Sequence, residues 1–148
     1  MASIDPPKQP PTSGDLLNHP IVQEALERAW KESFPEDPNR RHEEGGWIYM
    51  DLLSGNISIR RAPIGTQAEL DISNPPLLSG CVIVGTFHTH PSPSAEGWDP
   101  GPSDEDLIIH NELGLPGLLR AENGVHSFGP ISRRGGLSGG PGYPAELQ

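Results

Sequence analysis

One short stretch has both the residue types and the spacing for metal chemistry. His88-Thr89-His90 closes the apolar run Cys81-Val82-Ile83-Val84-Gly85-Thr86-Phe87. Residues i and i+2 of an extended segment face the same way, so the two imidazoles can reach one ion. A catalytic zinc takes three protein ligands and keeps its fourth position for water, so a third ligand must come from elsewhere in the chain. Asp106 is the candidate, in the first turn of a helix opened by Ser103-Asp104-Glu105-Asp106, with Ser103 at its cap. Each piece also has an ordinary structural reading. Ser-x-x-Asp is a good helix start in its own right, Glu43-Glu44 reads alone as a solvated pair, and a Pro-rich loop reads alone as a loop. Their joint order along the chain carries the chemical reading.

The elements that must position these residues follow from periodicity and turn signals. Asn18-His19-Pro20 offers a helix start, and Ile21, Ala25, Leu26 and Ala29 recur at helical spacing until Pro35 stops the pattern. Residues 47–52 and 57–61 flank Ser54-Gly55-Asn56 as a hairpin, and a further short strand is expected at 68–72. Residues 81–88, β-branched and continuous, read as a central strand buried on both faces, with Cys81 a small buried hydrophobe. Four Pro and two Gly make 91–102 a loop, a helix runs from 103 to about 113, and 118–120 with 125–128 form a last hairpin around Asn123-Gly124. The expected class is α/β (α+β), a mixed central sheet flanked by helices over residues 17–128. Residues 1–16 read as a flexible Pro-rich leader and 129–148 as an irregular Gly/Pro-rich tail. His110, one turn beyond Asp106 on the same face, could support a ligand or be a spare one, but no motif calls for it and it reads as a surface or packing residue.

Composition narrows the class. In 148 residues, 18 Gly and 18 Pro exclude long helices, and a 33% hydrophobic content limits the core to a few dense segments. A net charge of −10, from 10 Lys and Arg against 20 Asp and Glu, argues against nucleic acid or an anionic membrane as a partner. No apolar run approaches the roughly 18 residues of a membrane span, and no secretory pattern opens the chain, so the expected location is cytoplasmic. A single cysteine excludes an intramolecular disulfide and a cysteine-cluster metal site.

Taken in order, Glu43-Glu44-Gly45-Gly46-Trp47-Ile48-Tyr49, then Gly85-Thr86-Phe87-His88-Thr89-His90-Pro91, then Ser103-Asp104-Glu105-Asp106, the chain resembles the JAB/MPN (JAMM) zinc metallopeptidases, the small prokaryotic type related to deubiquitinating isopeptidases, over about residues 40–110. The resemblance implies an MPN-like domain in which His88, His90 and Asp106 bind Zn2+, Glu43 is the general base and Ser103 hydrogen-bonds the oxyanion. Glu44 competes with Glu43 for the base; the family places it three residues before the glycine ahead of the strand, here Gly46, which favours Glu43. The chain departs from the family in a longer His90-to-Ser103 connection, whose Trp98 reads either as a substrate contact or as packing for its own loop.

The implied activity is deconjugation or maturation of a ubiquitin-like modifier in a bacterial setting. The implied partners are that modifier or its conjugates and the E1-like and E2-like enzymes of the same pathway. Two other readings remain open: a JAMM-type peptidase acting on a non-ubiquitin peptide, toxin-like or cell-wall, and a catalytically silent MPN interaction module. Other His-x-His enzymes fit less well. Amidohydrolase barrels need a longer chain, the metallo-β-lactamase pattern needs an Asp soon after the second His where Pro91-Ser92-Pro93 stands, and H-E-x-x-H is absent. Arg133-Arg134-Gly135-Gly136 resembles the basic Gly-Gly ends of ubiquitin-like proteins, but with Leu137-Ser138-Gly139-Gly140 following it reads as flexible Gly-rich chain.

Overall fold

A computed structural model describes residues 5–143 and residue 146. The chain runs α1 (Ser13–Leu17), α2 (Pro20–Glu32), β1 (Gly45–Asp51), β2 (Ile57–Arg61), β3 (Cys81–His90), α3 (Asp104–Leu113), β4 (Gly117–Ala121) and β5 (Gly124–Phe128), with one 3-10 turn at Ser94–Glu96. It is a small α+β domain whose five strands form one mixed sheet in the order β2-β1-β3-β4-β5. β3 lies antiparallel to β1 and parallel to β4. The parallel pair requires a crossover, which the 91–102 loop and α3 supply.

Each helix starts at an identifiable cap. Thr12 and Asp15 form a reciprocal capping box for α1, Ser103 and Asp106 form another for α3, and His19 Nδ1 accepts the Ile21 N–H at the start of α2. Pro20 occupies the first turn of α2, where its missing N–H costs nothing. Leu16, Val22, Leu26 and Ala29 from α1 and α2 pack on Ile48, Met50, Val82, Val84, Phe87 and Leu118 to form the core on one sheet face. On the other face, Trp47, Tyr49, Ile83, Leu115 and Tyr143 form a second cluster, with Leu70, Ile72 and Leu78 packed against it.

A β-bulge decides what β3 presents to each face. Ile48 pairs with Gly85 and Tyr49 with Ile83, which leaves Val84 as the extra residue. Val84 belongs to the α1/α2 core, and a Cβ built on Gly85 would meet Leu16 Cδ1 at 3.1 Å, so two successive positions face the same side. The alternation is thereby reversed. Phe87 stays with the α1/α2 core, while Thr86, His88 and His90 emerge on the face that α3 borders.

Two expectations are corrected and a third gains detail. The leader is not unstructured to residue 16, because α1 is helical, Leu16 is fully buried and Thr12 bridges to Ser132. No strand forms at 68–72. The alternation is real, with Leu70 and Ile72 turned inward, but it serves to cover a sheet face rather than to join an edge: Ile72 O accepts from Trp47 Nε1 (3.3 Å) and Glu69 O from the nearby Thr66 N–H (2.8 Å). The Gly-rich tail, irregular as expected, is tied down: Arg133 is buried with its guanidinium on Ile83 O (2.9 Å) and Glu146 (2.6 Å), and Gly142 N–H donates to Leu113 O (2.6 Å). Residues 1–4 of the leader and 144, 145, 147 and 148 of the tail lie outside the described residues. Among the described residues, no helix is long and apolar enough to cross a membrane.

Candidate metal centre

His88 and His90 project from the end of β3 with their Nε2 atoms 3.1 Å apart. Asp106, the third residue of α3, places Oδ2 3.3 Å from His88 Nε2 and 3.5 Å from His90 Nε2. The helix cap fixes this oxygen, since the Ser103 N–H donates to the same Oδ2 at 2.9 Å. Glu43 approaches from the chain entering β1. Its backbone is clipped to the 65–66 segment, N–H to Thr66 O (2.7 Å) and C=O from Gly65 N–H (3.0 Å), and its buried carboxylate lies 4.0 Å from His90 Nε2.

The ligand atoms of Glu43, His88 and His90 all lie within 4.8 Å of one another, and this buried group could bind a metal ion. A second trio overlaps it. The nitrogens of His88 and His90 and Asp106 Oδ2 form a triangle with edges of 3.1, 3.3 and 3.5 Å. Four-coordinate tetrahedral zinc with bonds of ~2.0–2.1 Å sets its ligand atoms roughly 3.3 Å apart, so this triangle has the size of one face of such a site.

The electrostatics follow from burial and from these neighbours. Burial pushes the Glu43 carboxyl up to about 8; the His90 charge works against the shift, and Asp106 and Glu69 reinforce it. Burial opposes charge on His90, but the Asp106 hydrogen bond and the charges of Glu43 and Asp106 outweigh it and raise the imidazole above its ordinary value. Asp106 is also partly buried, yet hydrogen bonds to His88 and His90 hold it well below the usual carboxylate range.

Glu44 is committed elsewhere. Its two oxygens meet Arg61 (2.6 Å) and His42 (2.5 Å), away from the histidine pair. Ser103 Oγ accepts the Asp106 N–H at 3.0 Å, which leaves its own hydrogen free to donate. His110 is buried and packs edge-on against Phe128, in line with a packing role. A carbonyl can only accept, so His110 donates from Nδ1 to Asp106 O (2.8 Å) and its Nε2 accepts from the Thr86 hydroxyl (2.5 Å). Burial, with His88 nearby, lowers this imidazole to about 4 and keeps it neutral.

Sequence reasoning missed the second layer. Thr89, between the two histidines, points to the opposite face, where its hydroxyl accepts the Glu44 N–H (3.0 Å) and meets Ser33 Oγ (2.5 Å) at the end of α2. The available signal was two threonines, Thr86 and Thr89, inside a buried strand that is apolar apart from them and its two histidines, since buried hydroxyls need partners. The segment 68–72, expected to be a strand, instead forms with its neighbours 67 and 73 a wall of the cleft around the histidines. That cleft, about 970 Å³, also takes in Trp98, Ile109, Leu113 and Tyr143. Trp98 is 38% exposed on a loop held by a two-pronged ion pair from Arg41 to Glu96 (2.8 and 2.9 Å).

Comparison with known proteins gives no match to a family model, to a curated protein or to a solved structure.

Proposed function

We propose that this chain is a zinc-dependent peptidase of the JAB/MPN type, which deconjugates or matures a ubiquitin-like modifier. The observation that carries the metal reading is the 3.1, 3.3 and 3.5 Å triangle of His88, His90 and Asp106, with the Glu43 carboxylate standing off at 4.0 Å from His90. Two imidazoles and a carboxylate are a donor set that suits zinc, and three protein ligands leave the open position that catalysis requires. The five-stranded mixed sheet with its helices is compatible with an MPN-like domain.

When bound, zinc supplies Lewis acidity, which acidifies a water toward a pKa of ~7 and polarises the scissile carbonyl. Glu43 takes a proton from the attacking water and delivers it to the departing amine as the C–N bond breaks and a C–O bond forms. Its burial raises its proton affinity above that of an ordinary carboxylate, which suits a group that must take a proton and later give it up. Ser103 has its hydroxyl hydrogen free to meet the developing oxyanion. The capping box holds Ser103 and Asp106 in fixed relation, so the oxyanion donor and the ligand move as one unit.

The test is hydrolysis by the zinc-loaded chain of ubiquitin-like modifiers extended at their C-termini, and of an unrelated peptide of equal length. Cleavage of an extended modifier that is abolished by a chelator and by Glu43→Gln is the expected result. Cleavage of the unrelated peptide alone would move the substrate to a non-ubiquitin peptide. A folded, zinc-loaded chain that cuts neither would leave a binding module.

A further inference from the structure

The cleft holds acid well beyond the candidate metal group. With Glu43, His88, His90 and Asp106 set aside, its walls and rim still carry Glu69, Asp71, Asp99, Glu105 and Glu112, and no Lys or Arg lines it among the described residues. Outside the cleft, six acids among the described residues are neutralised by ion pairs. Glu24, Glu27, Glu32, Glu44, Glu96 and Glu146 each meet an arginine. The cleft carboxylates have no such ion pair among the described residues, although the chain has arginines to pair with acids.

A second observation points inward. Glu43 is 5% exposed, faces the cleft and has no hydrogen-bond partner for its carboxylate among the described residues, its nearest cation being His90 at 4.0 Å. A buried, unpartnered carboxylate in a cleft is completed by what enters the cleft. Between the acids the lining is apolar, with Leu70, Ile72, Ile109 and Leu113, and Trp98 stands half-exposed at the rim.

We infer that the occupant is an extended peptide segment carrying arginine or lysine beside the bond to be cut. Such side chains match the lining in both parts: the alkyl stem lies on the leucines and isoleucines, and the charged head reaches the carboxylates or the Trp98 face. A divalent ion at the histidines would not neutralise the remaining acids, so attraction for a basic segment persists in the loaded protein. The same field repels acidic segments and so selects against them. This inference rests on the peptidase reading for what happens to the segment after it binds, but binding can be read alone.

The experiment is fluorescence anisotropy with zinc-loaded full-length protein carrying Glu43→Gln, so that binding is seen without turnover. Three fluorescein-labelled octapeptides of glycine and alanine are compared, bearing two arginines, two serines or two glutamates. The arginine peptide is expected to bind at least about tenfold more tightly than the serine peptide, and the glutamate peptide most weakly. That preference should shrink as salt is raised from about 50 to about 500 mM. It should largely vanish when Glu69→Gln, Asp71→Asn and Glu112→Gln are combined. Equal binding of the arginine and serine peptides, undetectable arginine-peptide binding, or a preference that survives the triple substitution would overturn the inference. Failure of the unsubstituted protein to cut a basic peptide that it binds would count against the peptidase reading alone.

Discussion

Thr89→Val tests how the fold holds the two halves of the site together. The Ser33 hydroxyl donates to Ala29 O at 2.7 Å, a carbonyl that can only accept, so the Thr89 hydroxyl must donate to Ser33 Oγ (2.5 Å) while accepting the Glu44 N–H (3.0 Å). The run from Glu44 through Thr89 and Ser33 to Ala29 therefore has one direction, and all of its side chains are buried. It joins the C-terminal end of α2, the residue between the two histidines and the residue next to Glu43. Valine has nearly the shape of threonine but can neither donate nor accept. Stranding the buried Glu44 N–H costs about 1–3 kcal/mol, and losing the Ser33 bond costs roughly another 0.5–1.5 kcal/mol. A total of about 1.5–4.5 kcal/mol corresponds, for a domain of this size, to a fall in Tm of about 3–18 °C. Urea unfolding of the wild type, Thr89→Val and Thr89→Ser should show the loss as a lower midpoint at unchanged slope, with serine recovering most of it. A valine variant within about 0.5 kcal/mol of wild type would refute the network's energetic role, and a serine variant as unstable as valine would assign the effect to packing.

Further outcomes follow from the same geometry. If Glu43 carries the proton as proposed and is not a ligand, Glu43→Gln should leave zinc content unchanged while lowering hydrolysis at least about a hundredfold; loss of zinc by this variant, read by elemental mass spectrometry, would make Glu43 a ligand, as its place within 4.8 Å of His88 and His90 allows. His110 is held at about 4 in the fold, below the ordinary 6.5, so the unfolded chain binds its proton first as pH falls. Its contribution is complete above about pH 6.5 and is lost on the way down to about pH 4, amounting to about 3 kcal/mol. His110→Asn should flatten this part of the stability profile in urea unfolding across that range, and an unchanged slope would contradict the assignment. Gly117→Ala would place a Cβ 2.3–2.7 Å from three ring atoms of Phe128. Such overpacking should cost about 1–3 kcal/mol in the same assay, and adding Phe128→Leu should recover part of it.

The sequence made the main elements legible where local signals agreed. Pro20 and the recurrence of Ile21, Ala25, Leu26 and Ala29 marked α2, although its buried stripe is Val22, Leu26 and Ala29 and Ile21 is exposed; Ser103 and Gly114 bracketed α3, and Asn123-Gly124 marked the last turn. α1 was not legible, because its five residues depend on Leu16 reaching a sheet face assembled from distant segments. Nor was the place of 68–72, since alternating residues that cover a sheet look the same as those that join it. The residues brought together at the histidines were all in view as a motif, yet their meeting depends on the bulge at Val84 and Gly85, which no local pattern announced. A strand without it would turn His88 and His90 toward the α2 core and Thr89 toward the cleft. The burial of Arg133 and Tyr143 was likewise hidden, because a Gly-rich stretch carries no periodicity to show which of its side chains return to the core.

Whether His88, His90 and Asp106 hold zinc is read from the zinc content of the purified, extensively dialysed protein, by elemental mass spectrometry beside a circular dichroism spectrum. About one zinc per chain is expected, lost on changing His88→Ala or Asp106→Ala with the fold retained. A folded chain that carries no zinc and takes up none when it is added would contradict that expectation.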